Sequence, residues 1–173
     1  MWFFPFYAHL CHVMTSIYPF ILALHSTWRW IVLIIFISGL LRFAYQKKNK
    51  CSFTPTDNFL KNAVVFTFYV QALLGIILYI CSPVTQYFLT HFNTAVHLRQ
   101  IRFFGMEHSS MMILAGIFLL TGSLKSKNAD TDDRRFKILL IWFGLALLIA
   151  LSSIPWEFSP LTSRPSFRSF WLT

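Results

Sequence analysis

Residues 18–41 read YPFILALHSTWRWIVLIIFISGLL, an apolar stretch that is followed at once by Arg42. A helix rises 1.5 Å per residue, so roughly 20 residues cross the hydrocarbon core of a bilayer, which is about 30 Å thick. Unpaired backbone groups are costly in lipid, and this run lacks the alternation of a barrel strand. The stretch therefore predicts a helix that crosses a membrane.

Three further apolar runs repeat this pattern, at residues 62–80, 103–124 and 138–154. The second run stops just before Pro83, which lacks an amide donor and disfavours helix in the residue that precedes it. The predicted fold is all-α, an integral membrane four-helix bundle with crossings at about 18–41, 62–80, 103–124 and 138–154.

The predicted domain organisation has three parts. The four-helix transmembrane domain covers residues 18–157, and residues 158–173 form a tail on the outer side. Residues 1–17 are strongly aromatic but contain Pro5 and two histidines, so they are predicted to lie at the membrane interface instead of forming another crossing.

The composition excludes a small soluble domain. Hydrophobic residue types make up 56% of the 173 residues and charged types only 12%, with 20 Phe and 6 Trp. A globular fold of this size has too little interior to bury that much apolar surface. Intrinsic disorder is excluded as well, because it requires low hydrophobicity and high charge.

The basic residues follow the membrane topology. Residues 42–61 and 125–137 each hold five Lys or Arg, and the formal net charge of the chain is +9. Cytoplasmic loops carry an excess of such residues, so these two segments are predicted to face the cytoplasm, with both termini and residues 82–101 on the outer side. Because the charges lie between crossings, they do not indicate a nucleic-acid partner, and the lipid bilayer is the predicted environment.

Two histidines are predicted to lie at one depth in the membrane. His25 is seven residues from Tyr18 and His108 is five from Phe103. At 1.5 Å per residue, both imidazoles come roughly 8–10 Å below the outer boundary. An iron porphyrin with two imidazole ligands needs one on each face, and bundles build cofactor sites from facing helices. The pattern predicts one haem b between crossings one and three, with His25 and His108 as the iron ligands.

Four other polar residues are predicted to lie inside the bilayer or at its edge, close to the two histidines. Ionisable groups are expensive there, so each is a candidate functional residue. They are Arg29, Gln71, Arg102 and Glu107. Arg99 or Arg102 is placed to meet the haem propionates, and Gly75, Gly105 and Gly116 are expected to leave room for the macrocycle.

An alternative interpretation is that these polar residues bind no cofactor. His, Ser and Gln in membrane helices also act as interhelical hydrogen-bonding groups, and glycine often marks close helix contact. In that reading Glu107 neutralises Arg29, or pairs with Arg102, and the histidines are packing groups.

Four short motifs resemble a family of small four-helix bacterial membrane proteins that are usually labelled cytochrome b. They are L-H-S-x-x-R-W from Leu24, Q-x-L-L-G-x-x-L-Y-x-x-S-P from Gln71, R-F-F-x-x-E-H-x-x-M-M from Arg102 and I-P-W from Ile154. The resemblance covers about residues 18–156. It implies a b-type haem at His25 and His108 and a multi-pass protein of the bacterial cytoplasmic (inner) membrane.

The leading functional hypothesis is an electron-transfer protein that exchanges electrons with a quinone or another respiratory subunit. The second is a non-enzymatic accessory or assembly subunit of a larger membrane complex, without a cofactor of its own. A proton or solute pathway around Arg29, Glu107 and Gln71 is a third, weaker hypothesis, because no broken helix or repeat is visible. A stand-alone enzyme has little support, since phosphate-binding and nucleophile motifs are absent from the sequence.

Overall fold

The computed structural model describes the backbone of residues 3–157 and the side chains of residues 17–157. The predicted outward tail at 158–173 and the side chains of the aromatic N-terminal segment lie outside the described residues. All regular structure in the described part is helical. The helices are α1 (Phe3–Lys48), α2 (Pro55–Cys81), α3 (Pro83–Thr90), α4 (Phe92–Ala95), α5 (Arg99–Arg102), α6 (His108–Lys127) and α7 (Asp132–Ser152), with a π-helical turn at Phe103–Glu107 between α5 and α6.

Four segments are long and apolar enough to cross a membrane. They are Ile17–Lys48, Pro55–Cys81, Arg99–Lys127 and Asp132–Ser152. Each contains one of the predicted runs, apart from the last two residues of the fourth run. The prediction of an all-α protein with four membrane-crossing helices is therefore confirmed, and the chain is a multi-pass membrane protein.

The helices begin and end at positions that hydropathy does not predict. The second begins at Pro55 instead of residue 62, and the fourth at Asp132 instead of residue 138. Local capping explains both starts: Thr54 N donates to Asp57 Oδ2 at 2.8 Å, and Arg134 N donates to Thr131 Oγ1 at 3.3 Å. The apolar run marks the lipid-facing part, whereas capping side chains satisfy the first amides and fix where the helix starts.

The first helix is longer than predicted at both ends. Its backbone is helical from Phe3 to Lys48 and includes Pro19. Residues 3–17 therefore continue the helix of the first crossing, and their placement at the membrane interface stays a prediction.

The described residues divide into two compact units. The first unit comprises residues 3–28, 73–109 and 155–157, and the second comprises 29–72 and 110–154. The second unit contains segments of all four long helices, and its core holds Phe36, Phe43, Phe136 and Phe143, which are all fully buried. Phe143 meets Phe36 edge-on at a centroid distance of 6.0 Å and Phe43 at 6.3 Å. Such edge-to-face pairs stabilise a core beyond the area that they bury.

Helices α6 and α7 approach each other closely at Gly122. A Cβ atom added there would lie 2.5 Å from the Cβ of Trp142 and 3.3 Å from Cδ1 of Phe143. Small residues at membrane-helix interfaces allow such approach. The contact explains why glycine stands at this position in a helix, where its own propensity is poor.

Gly122→Ala is expected to destabilise the protein by about 1–3 kcal/mol, because the added methyl group must displace the Trp142 backbone or ring. Gly144→Ala is the matched control, since nothing lies within 4 Å of a Cβ added at that helical position. The control should be neutral or stabilising, because alanine is a better helix former by about 1 kcal/mol. Unfolding of both variants in detergent measures the difference, and equal stabilities would contradict the close contact.

The first unit is built around the three short helices and the π-helical turn. Tyr79 Oη donates to the carbonyl of Gly105 at 2.8 Å, which ties the end of α2 to the π-helical turn. Phe88 on α3 is buried against the same turn. These contacts fix the backbone that leads into His108.

Candidate functional site

His25 packs against the backbone of α2. A Cβ atom added at Gly75 would lie 3.3 Å from Cε1 and 3.9 Å from Nδ1 of the imidazole. Nδ1 is buried, whereas the residue as a whole is only half-buried. The accessible part of His25 therefore lies on its other atoms, away from the Nδ1 edge that faces α2.

His108 is the first residue of α6, directly after the π-helical turn. Its ring lies 5.8 Å from the ring of Phe103 and 6.4 Å from that of Phe104, measured between centroids. The residue is half-buried. A π-helical turn changes the direction of the side chains that follow it, and such turns are frequent at functional sites. The turn therefore sets where the imidazole points, which residue counting from Phe103 could not predict.

Arg102 and Glu107 form an ion pair across the π-helical turn. Nε of Arg102 donates to Oε1 of Glu107 at 2.6 Å, and its Nη1 donates to the carbonyl of Val96 at 3.1 Å. Both side chains are partly exposed. Of the two partners that the sequence left open for Glu107, the structure places Arg102 beside it. The guanidinium is thus held by its own segment, on the same turn that positions His108.

The predicted site residues belong to different units. His25, His108, Arg102 and Glu107 lie in the first unit, whereas Arg29 and Gln71 lie in the second. Nε of Arg29 and Oε1 of Gln71 are buried, and the guanidinium carbon of Arg29 lies 5.4 Å from the ring centroid of Trp30. The first unit by itself therefore contains both histidines and one Arg–Glu pair.

The glycines named as room for a macrocycle are packed by neighbouring side chains. At Gly105 an added Cβ would lie 2.3 Å from Cγ of Phe88, so the prediction of open space there is wrong. At Gly116 the neighbours are Phe68 and Tyr69, whose hydroxyl donates to the glycine carbonyl at 3.1 Å. At Gly75 the neighbour is His25 itself. These glycines serve close packing, as small residues commonly do in membrane bundles.

No group of three or more His, Cys, Asp or Glu that could hold a metal ion occurs among the described residues. A haem with two imidazole ligands does not need such a group, because the porphyrin supplies the other four nitrogens. The other histidines whose side chains the structure describes are His91 and His97, and both are exposed on the α3–α5 segment. The imidazole of His91 stacks on Tyr87 at a centroid distance of 4.7 Å.

The buried ion pair between Arg42 and Asp57 at the start of α2 was not predicted from the sequence. The carboxylate of Asp57 is fully buried and accepts from Nε of Arg42 at 2.6 Å and from the amide of Thr54 at 2.8 Å. The signal was present as a Thr54-x-x-Asp57 pattern ahead of an apolar run, which is typical of a helix start. Arg42 and the other basic residues were counted only for topology.

Comparison of the chain with protein-family models, with curated proteins and with solved structures found no match. The membrane fold is therefore established by the helices themselves, and the resemblance to cytochrome b proteins stays a prediction.

Proposed function

We propose that this chain is a membrane-bound b-type cytochrome-like electron-transfer protein that holds one haem b between His25 and His108. The observation that carries the proposal is that both histidines belong to one compact unit, one on α1 and one at the start of α6. Two helices of a bundle that each supply an imidazole are the arrangement that a six-coordinate haem requires.

The chemistry of the donor set suits a haem. Ligating histidines commonly have their second ring nitrogen fixed by the surrounding protein, which sets the orientation of the ring. The buried Nδ1 edge of His25, packed on α2 at Gly75, supports a role in which the other ring nitrogen binds iron. A haem held in this way supplies one-electron redox chemistry.

The Arg102–Glu107 pair supports the same site electrostatically. Glu107 directly precedes His108, and its carboxylate is joined to the guanidinium of Arg102 at 2.6 Å. A haem carries two propionates, so a guanidinium near the ligand helix offers them a partner. Glu107 holds this guanidinium in place and limits the net positive charge beside the imidazole.

Electron exchange requires a partner. A single haem near one membrane face does not by itself carry electrons across the whole bilayer, so we propose a quinone or a second redox subunit as the donor or acceptor. The bacterial cytoplasmic membrane is the proposed location, with the ten basic residues of segments 42–61 and 125–137 facing the cytoplasm.

The proposal is tested by the absorption spectrum of the full chain, purified in a mild detergent from cells supplied with a haem precursor. A dithionite-reduced minus oxidised difference spectrum should show the bands of a six-coordinate b-type haem. A featureless spectrum would overturn the proposal. If such colourless protein co-purified with a defined set of membrane proteins, it would support the accessory-subunit hypothesis instead.

A further inference from the structure

The second unit contains a solvent-open cavity of about 350 Å³ that the electron-transfer proposal does not use. It lies where the start of α2 meets the end of α6 and the first turns of α7. The side chains that matter for its chemistry are Phe53, Asn58, Lys61, Ser126, Lys127 and Arg135. Three of these six carry a positive charge, and none carries a negative charge.

Lys61 is an almost fully buried lysine in the wall of this cavity. Its side chain is 2% exposed, yet it lines the cavity. Among the described residues, no carboxylate or other hydrogen-bond acceptor pairs with its ammonium group. A cation that has lost most of its water without gaining a counter-ion is costly to bury.

The neighbouring charges raise this cost. Lys127 and Arg135 line the same cavity as Lys61, so three positive charges share it. Asp57, one helical turn before Lys61, has both carboxylate oxygens engaged by Arg42 and Thr54. The Asp57 carboxylate, which is the negative charge closest to Lys61 in sequence, is therefore already paired. The cavity keeps a net positive charge.

The guanidinium of Arg135 is held by contacts with Ser126 and Phe53. Its Nε donates to the carbonyl of Ser126 at 3.1 Å, and its guanidinium carbon lies 4.8 Å from the ring centroid of Phe53. Its Nη1 makes only a long contact of 3.5 Å with Asp132. A guanidinium fixed in this way is well suited to bind an oxyanion, because its planar fork matches phosphate geometry.

We infer that this cavity is a binding site for a phosphate group, with Lys61, Lys127 and Arg135 as its cationic partners. The phosphate belongs either to an anionic phospholipid headgroup or to a soluble phosphate. Basic pockets between membrane helices on the cytoplasmic side are suited to headgroups, and the volume is in the range of small-molecule sites. The bound anion supplies the counter-charge that the protein itself does not give to Lys61.

The test uses the full chain, stripped of lipid in a neutral maltoside detergent. Thermal stability and native mass spectra are recorded with dioleoyl phosphatidylglycerol, with dioleoyl phosphatidylcholine, and with inorganic phosphate against chloride at equal ionic strength. Phosphatidylglycerol or inorganic phosphate should bind and raise the melting temperature. Phosphatidylcholine should not, because its own choline cation neutralises its phosphate. Lys61→Met keeps the length of the side chain and removes the charge, and it should weaken this binding about tenfold.

Lys48→Met is the matched control, because Lys48 is exposed at the end of α1 and does not line the cavity. It should bind as the wild type does. Without any phosphate, Lys61→Met should be at least as stable as the wild type, since it no longer buries an unpaired charge. A purely structural lysine would give the opposite result.

The two arms distinguish the source of the phosphate. A response to phosphatidylglycerol alone identifies a lipid headgroup, and an equal response to inorganic phosphate identifies a soluble ligand. If Lys61→Met fails to fold, Lys127→Gln at the exposed rim is used, with about a threefold loss expected. Unchanged binding by Lys61→Met, or by Lys127→Gln when that variant replaces it, would overturn the inference. So would a wild type that does not distinguish phosphatidylglycerol and inorganic phosphate from the neutral controls.

Discussion

Replacement of His108 by alanine is expected to remove the haem bands from the difference spectrum of the purified protein, and His25→Ala should do the same. In the proposed site each variant removes one axial ligand, and the sequence contains no covalent attachment motif that would retain the haem. We expect less than about a tenth of the wild-type haem content, because ligand loss typically lowers affinity by more than the 10–100-fold that loss of a supporting residue does. Haem content per chain is measured by absorbance on protein of known concentration.

His97→Ala is the matched control for both variants. His97 lies in the same unit but is exposed, and it is not a predicted ligand. Its haem content should equal that of the wild type, and the helical circular dichroism of all three variants should be unchanged. Haem retained in full by both His25→Ala and His108→Ala would show that other groups bind the iron.

Asp57→Ala is expected to cause a large loss of stability. The carboxylate is 0% exposed and joins Arg42 to the first turn of α2. Removing one partner of a buried pair typically costs about 3–5 kcal/mol. We expect a value of about 3 kcal/mol, because Arg42 is 37% exposed and water can solvate part of its charge.

Asp130→Ala is the control for this loss. Asp130 pairs with Arg134 at 2.8 Å, but its side chain is 77% exposed. The change should be about 0.5 kcal/mol or less, as for other exposed pairs one turn apart. Reversible unfolding of both variants in mixed detergent gives the two free energies. Equal losses would mean that burial of the Asp57 carboxylate does not stabilise the protein.

Hydropathy predicted the crossings because a helix that crosses the hydrocarbon core needs only a run of roughly 20 apolar residues. The ends of the helices depend on single side chains instead, such as Thr54 with Asp57 at the start of α2 and Thr131 at the start of α7. The π-helical turn before His108 has no periodic signal in the sequence. It arises where α5 and α6 join, so counting residues from Phe103 predicts a depth for His108 but not the direction of its side chain.

The candidate site was predicted only in part, because its contacts also depend on local backbone geometry that has no periodic signal. The sequence identified six polar residues near membrane depth, but it could not choose between Arg29 and Arg102 as the partner of Glu107. The choice depends on the π-helical turn, which places Arg102 and Glu107 at 2.6 Å. Lys61 was counted as a topological signal, since its burial depends on how α2 packs on the α6–α7 connection.

The pyridine haemochrome assay on the purified protein decides whether the chain binds haem b. It converts any haem b to one defined complex and thus measures cofactor content independently of ligand geometry. We expect about one haem b per chain, in line with the single histidine pair. Protein that is folded and helical, yet contains no haem b after expression in haem-replete cells, would contradict it.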